Sequence, residues 1–258
     1  MKIKILSAWS LPGGSTIANI NLCNLFNASG YDCTFYGPHE WQEHHCKGAS
    51  LEDVKIESGD VIISHFLEMG ERPKTAHKVV LSCHETNVFP IKGKKKFWDN
   101  IHFVSESQKE WQGVDGVVIP NVISPLENNG GRKGYAGVIG SIDPHKQTHL
   151  SIKRALLAGY KKVLVYGLIT DQRYYIKHIK PLEKNKKVVL AGHFDDKQKM
   201  YDSVEEVFHS SKRETYNLVQ FECERAGVKY NGLESTLTSA EVKPDEEILN
   251  LWKTLLEI

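Results

Sequence analysis

The chain has 258 residues, 40% of them apolar and 25% charged, a balance that fits an ordinary globular protein of one or two modest domains. Its 33 lysines and arginines against 32 acids leave a net charge of +1, so no overall field selects nucleic acid or an acidic partner. No apolar run reaches the ~18 residues of a membrane-spanning helix, and Met1-Lys2-Ile3-Lys4-Ile5-Leu6 enters a strand pattern without the apolar region of a signal peptide.

In chain order, residues 2–7 read as a strand and 9–15 as a tight turn around Pro12, Gly13 and Gly14. From 15 to 29, Ile17, Ile20, Leu22, Leu25 and Phe26 recur at helical spacing, and Gly30 supplies the stop. Strands are predicted at 33–36, 60–65, 78–83, 101–105 and 116–120, and Val61-Ile62-Ile63 suits a strand covered on both faces. Residues 121–134, with Pro125, Asn128-Asn129-Gly130-Gly131 and Gly134, have the composition of a linker. The alternation then restarts, with strands at 135–140, 162–167, 187–191 and 204–209 and helices at 146–158, 171–180, 195–201 and 215–226. A final amphipathic helix at 244–257 puts Ile248, Leu249, Trp252, Leu255 and Leu256 on one stripe.

Strands alternating with helices predict parallel βαβ units with right-handed crossovers. The expected fold class is α/β: two Rossmann-like domains, 1–122 and 123–240, facing a cleft, with a helix at 241–258 returning to the first. The five cysteines, Cys23, Cys33, Cys46, Cys83 and Cys223, form no Cys-x-x-Cys pair and leave one over, which fits a reducing cytoplasm. Cys23, Cys33 and Cys83 read as small buried apolar residues. The spacing of His39, His44, His45 and Cys46 matches no standard zinc site, and a polar loop accounts for them.

Chemistry concentrates in a few places. Glu214 and Glu222 flank a predicted helix start, and their eight-residue step is about 2.2 helical turns, which keeps them near one azimuth. The amides of Tyr216, Asn217 and Leu218 are expected as first-turn donors, a ready anion site when joined to the helix dipole. Gly13 and Gly14 open the first helix, where a ligand can approach backbone closely, but Ser15-Thr16-Ile17 breaks a Gly-x-Gly-x-x-Gly fingerprint. His84 ends the 78–83 strand, with no group identifiable to orient it, and Asn121 follows Ile119-Pro120. Gly140-Ser141-Ile142-Asp143-Pro144-His145-Lys146 ends the first strand of the second half and places Lys146 to neutralise a phosphate. Lys94, Lys95 and Lys96, beside Phe97 and Trp98, read as a solvated loop or as a contact for a phosphorylated acceptor, a membrane surface or nucleic acid.

In this order the residues resemble the GT-B glycosyltransferases, specifically the retaining family 4 group, of which this chain would be a short member. The resemblance runs through almost the whole chain: a Gly-Gly loop, a strand-end His, Ile-Pro-Asn, Gly-x5-Lys, then Glu-x7-Glu with Ala226-Gly227 closing the helix. It implies an acceptor-binding N-terminal half, a C-terminal half that binds a nucleotide-sugar donor, retention of configuration, no metal and no other cofactor. Carried over, Glu222 holds the donor ribose, Glu214 the transferred sugar and Lys146 the diphosphate. Gly14 admits that diphosphate, His84 sits beside the anomeric centre, and His193 lines the base. Three departures stand out: Ser141 occupies the position of the family's arginine, Asn217 that of a glycine, and Cys223-Glu224-Arg225 that of Ala-Met-Ala. Two other readings stand beside transfer: a nucleotide- or sugar-binding partner subunit, and a sugar-nucleotide epimerase or hydrolase. The acceptor (polysaccharide, lipid, protein or modified nucleic acid) is open, as is peripheral membrane contact.

Overall fold

A computed structural model describes residues 1–8, 13–37, 45–65, 71–86, 97–193, 195–236 and 240–258. The chain divides into two compact units, residues 1–123 with 239–258, and residues 124–238. Among the described residues no helix is long and apolar enough to cross a membrane.

The first unit begins with β1 (Ile3–Ser7), buried at every position and therefore covered on both faces. Its one charge, Lys4, pairs with Asp60 and donates to the Lys55 carbonyl, as a charge without solvent access requires. Then come α1 (Gly14–Ala28), β2 (Cys33–Gly37), β3 (Gly48–Ser50), β4 (Val61–His65), β5 (Lys78–Cys83), β6 (Asn100–Phe103), α2 (Glu106–Gln112) and β7 (Val117–Val118). The sheet is parallel, in the order β3-β2-β1-β4-β5-β6-β7. Its strand order reverses between β1 and β4, where ligands of such sheets bind.

Helix α2 and strand β3 were not expected. For α2 a signal was present: Ser105 caps the Gln108 amide, the Gln108 side chain accepts from the Val104 amide, and Gly113 ends the helix at φ 58°. That is a capping box displaced by one residue, followed by a left-handed stop.

The second unit runs β8 (Tyr135–Ile139), α3 (Thr148–Leu157), β9 (Lys162–Tyr166), α4 (Gln172–Tyr174), β10 (Val188–Gly192), α5 (Lys197–Asp202), β11 (Glu206–His209), α6 (Leu218–Ala226) and β12 (Lys229–Gly232). Its parallel sheet has the order β10-β9-β8-β11-β12, with the reversal between β8 and β11. The predicted helix at 171–180 is one α-helical turn continued by a π turn over Tyr175–Ile179, closed by the Lys180 amide on the Tyr175 carbonyl. Strand β12 was not expected; it is short and only partly buried.

The last helix, α7 (Asp245–Leu256), belongs to the first unit. Ile248, Trp252, Leu255 and Leu256 join Ile3, Ile5, Ile20 and Phe26 in one buried cluster, and Glu257 pairs with Lys78.

Candidate functional site

Strands β8 and β11 lie side by side, Glu206 against Ala136 and Val207 against Gly137. The loops that leave their C-terminal ends therefore meet. The Lys212 amide bonds the His145 carbonyl at 3.0 Å, and the His145 ring bonds the Arg213 carbonyl at 2.9 Å. Asp143 shapes the first loop: one carboxylate oxygen accepts the amides of His145 and Lys146, both at 2.8 Å, and the other accepts the Ser141 hydroxyl. An aspartate that turns its own backbone is a common loop former, and the Asp143-Pro144 pair was the signal for it.

This loop sets the Lys146 ammonium 2.7 Å from Glu214, whose same oxygen lies 2.8 Å from Nε2 of His209, the last residue of β11. The Lys146 stem passes the Gly140 backbone, where an added Cβ would meet it at 3.8 Å. Gly140 in turn is crossed by Gly167, at φ 151°, where a Cβ would sit 1.9 Å from the Gly140 carbonyl oxygen, so only glycine fits that crossing.

Burial alone would raise the Glu214 carboxyl, but Lys146 and His209 outweigh it and hold the group well below the usual carboxylate range. A group depressed by folding contributes stability above its unfolded value, here 4.5, and loses it as pH falls. The stability difference between wild type and Glu214→Gln, from urea unfolding, is thus expected to shrink as pH drops from about 5 to about 3. A difference constant over that range would overturn the charged pairing.

Glu222 lies on α6 and is 2% exposed. Its carboxylate accepts the Ser124 hydroxyl at 2.9 Å, the Tyr201 hydroxyl at 2.8 Å and the Lys197 ammonium. The expected helix start and its amide set need correction. Asn217 is the cap, its side chain accepting the Gln220 amide at 3.2 Å, so the helix opens at Leu218 and the Tyr216 amide is outside its first turn. The Leu218 amide bonds the Tyr216 carbonyl at 2.9 Å. Glu214 therefore precedes the helix, and the shared azimuth inferred for it and Glu222 does not hold. The Asn217 amide group is fixed by the Tyr230 hydroxyl and the Thr236 carbonyl, and the Tyr216 ring packs on Phe221 at 4.9 Å. His193, after β10, pairs with Asp195 at 2.8 Å.

The first unit gathers polar groups at its own switch point. Ser7 ends β1 and His65 ends β4, in register, with Ser7 Oγ 2.9 Å from His65 Nδ1. His65 Nε2 donates to Glu85 at 3.0 Å. Burial opposes ionisation of Glu85, yet His65 and Ser15 lower it, tying the end of β5 to the helix that Gly13 and Gly14 open. A second chain orients His84. His102 Nε2 donates to the Ile119 carbonyl at 2.8 Å, so Nδ1 accepts from Ser82 at 2.8 Å, and the Ser82 oxygen accepts from His84 Nε2 at 3.0 Å. Burial, with His65 and His102 beside it, lowers His84 well below the usual histidine value. His84 is held neutral, with Nδ1 as its acceptor nitrogen. The sequence offered no orienting group for it; Ser82 and His102 are that group.

No protein-family model matches the sequence, and no curated protein matches it. Solved structures do. The Anabaena protein HepE, in complex with UDP and glucose, is 14% identical with a TM-score of 0.69, over 100% of this chain and 90% of that one. AviGT4, a glycosyltransferase involved in avilamycin A biosynthesis, is 13% identical with a TM-score of 0.65, over 99% and 93%. TarM is 11% identical with a TM-score of 0.68, over 100% and 92%. The fold is the GT-B fold.

Within the second GT-B unit, Ser141, Lys146 and Glu214 come together, and Asp143 and His209 complete the cluster; sequence reasoning missed both. Lys197, Tyr201 and Ser124, which surround Glu222, were missed too, and no local pattern marks them. Lys94, Lys95 and Lys96 lie outside the described residues, as do His39 and His44. Among the described residues no group of three or more His, Cys, Asp or Glu side chains is placed to hold a metal.

Proposed function

We propose that the chain is a glycosyltransferase that takes a uridine diphosphate sugar in its second unit and transfers the sugar, with retention and without a metal, to an acceptor. The observation that carries the reading is Lys146, a cation fixed at the switch point by Glu214 and His209. One of its N–H groups goes to Glu214, and it has no other acceptor among the described residues. A preorganised ammonium there stabilises the charge that grows on a departing diphosphate. Glu222 is the carboxylate for ribose hydroxyls, competing with the Lys197 ammonium and the Ser124 hydroxyl. His84, neutral, serves as a hydrogen-bond acceptor for a sugar hydroxyl rather than as a cation. The UDP-glucose complex of HepE supports the choice of base and sugar class; retention and metal independence rest on the resemblance to family 4.

One observation favours binding without transfer. Ser141, in the place of a second cation, gives its hydroxyl to Asp143, so a single positive charge meets the leaving group. A thermal-shift screen of UDP, GDP, ADP, TDP and CMP tests the donor reading. UDP at 100 times its dissociation constant is expected to add about 2.7 kcal/mol, a shift of about 5–10 °C. No shift from any nucleotide would remove the donor assignment. A UDP shift without UDP release from UDP-glucose, alone or with sugar acceptors, would select the binding protein.

A further inference from the structure

The second unit contains a cavity of about 350 Å³ that shares Pro144 and Lys212 with the two loops described above, while its other lining residues lie outside the Lys146–Glu214 cluster. Its wall is aromatic. Tyr174 is buried, and its hydroxyl sits 2.6 Å from His149 Nδ1 and 3.2 Å from the His149 amide. The π turn that follows Tyr174 carries His178, whose ring lies 4.9 Å from His149 and 5.1 Å from Tyr174, tilted by 36° and 41°. Rings inclined in this way form a wedge and not the parallel slot a planar base fills.

The rim is cationic. Arg173, Lys177 and Lys212 are exposed, line the cavity, and have no acidic partner among the described residues. One carboxylate lines it, Asp171, and it is occupied in capping the Tyr174 amide at 2.8 Å. Inside, burial first, then His178 and Lys153, lowers the His149 imidazole below its usual value. Three cations against one engaged carboxylate, over an apolar ring-lined wall, select an anionic ligand with an apolar face. The volume suits a monosaccharide-sized molecule.

We infer that this cavity is a binding site for a phosphorylated monosaccharide, its ring on the Tyr174–His178–His149 wall and its phosphate at Arg173, Lys177 and Lys212. The inference goes beyond the donor reading and does not depend on it.

Calorimetric titration of the full chain with glucose 6-phosphate, at fixed ionic strength, tests it, with glucose and inorganic phosphate titrated separately. Saturable binding at one site is expected, at least tenfold tighter than either fragment. The exposed pair Arg173→Glu and Lys177→Glu together is expected to weaken it at least tenfold while leaving the thermal unfolding midpoint and the UDP-induced shift in place. Lys146→Ala is expected to leave glucose 6-phosphate binding unchanged. Absence of binding, phosphate binding as tightly as the sugar phosphate, or loss of binding in Lys146→Ala but not in the rim variant would each overturn the assignment.

Discussion

Lys146→Ala is expected to slow UDP release from UDP-glucose by about 10²–10³-fold with a much smaller change in UDP affinity. The ammonium is held before any ligand arrives, by a carboxylate 2.7 Å away that is itself fixed by His209, so it needs no reorganisation as charge develops. Ser141 offers no second cation to share the task. Lys146→Arg is not expected to restore the rate fully. A planar guanidinium delivers its charge differently from a point ammonium. Steady-state kinetics of both variants against UDP-glucose provide the check. An unchanged kcat in Lys146→Ala would make the lysine a structural partner of Glu214 alone and would withdraw the leaving-group role.

Glu222→Ala is expected to destabilise the second unit by about 3 kcal/mol, lowering its melting temperature by roughly 6–12 °C. The substitution strands several groups at once. Tyr201 is fully buried and loses the acceptor of its hydroxyl, Lys197 loses its counter-charge, and Ser124 loses its hydrogen bond to the carboxylate. Leaving buried donors unmet costs more than the bonds contribute when made. Glu222→Gln keeps one acceptor oxygen and is expected to cost less than half as much. Both variants are expected to reduce the UDP-induced thermal shift, and Glu222→Gln shows that loss with the smaller background of destabilisation. Differential scanning calorimetry with and without UDP measures both effects. A melting temperature unchanged in Glu222→Ala would mean that the carboxylate is not the hub of that network.

The alternation of periods in the sequence already contains most of the strands and helices, because a parallel strand buried on both faces and an amphipathic helix leave unlike patterns. Val61-Ile62-Ile63 and the stripe through Ile248, Trp252 and Leu255 are of this kind. Glu214 and Lys146 were legible as charges at element ends, but their pairing was not: they are 68 residues apart and meet because β11 lies next to β8. Strand order is a property of the assembled sheet. His209 was hidden for a related reason, as a polar side chain at the end of a strand reads like any other strand terminus. The helix start at Leu218 was misplaced because Thr215-Tyr216-Asn217 carries no proline or glycine, and only the Asn217 side chain on the Gln220 amide sets the boundary.

Helix α7 also bears on the order in which the chain acquires structure during synthesis. Residues 124–238 are contiguous, so the ribosome delivers everything that unit needs in one stretch. The first unit starts earlier but waits, because Ile248, Trp252, Leu255 and Leu256 are packed with Ile3, Ile5 and Phe26 and leave the exit tunnel only after residues 124–238. Contacts between such distant stretches close late and keep apolar surface open in the interval. The unit whose strands emerge before residues 124–238 is then the one most in need of a chaperone until residues 245–256 have emerged.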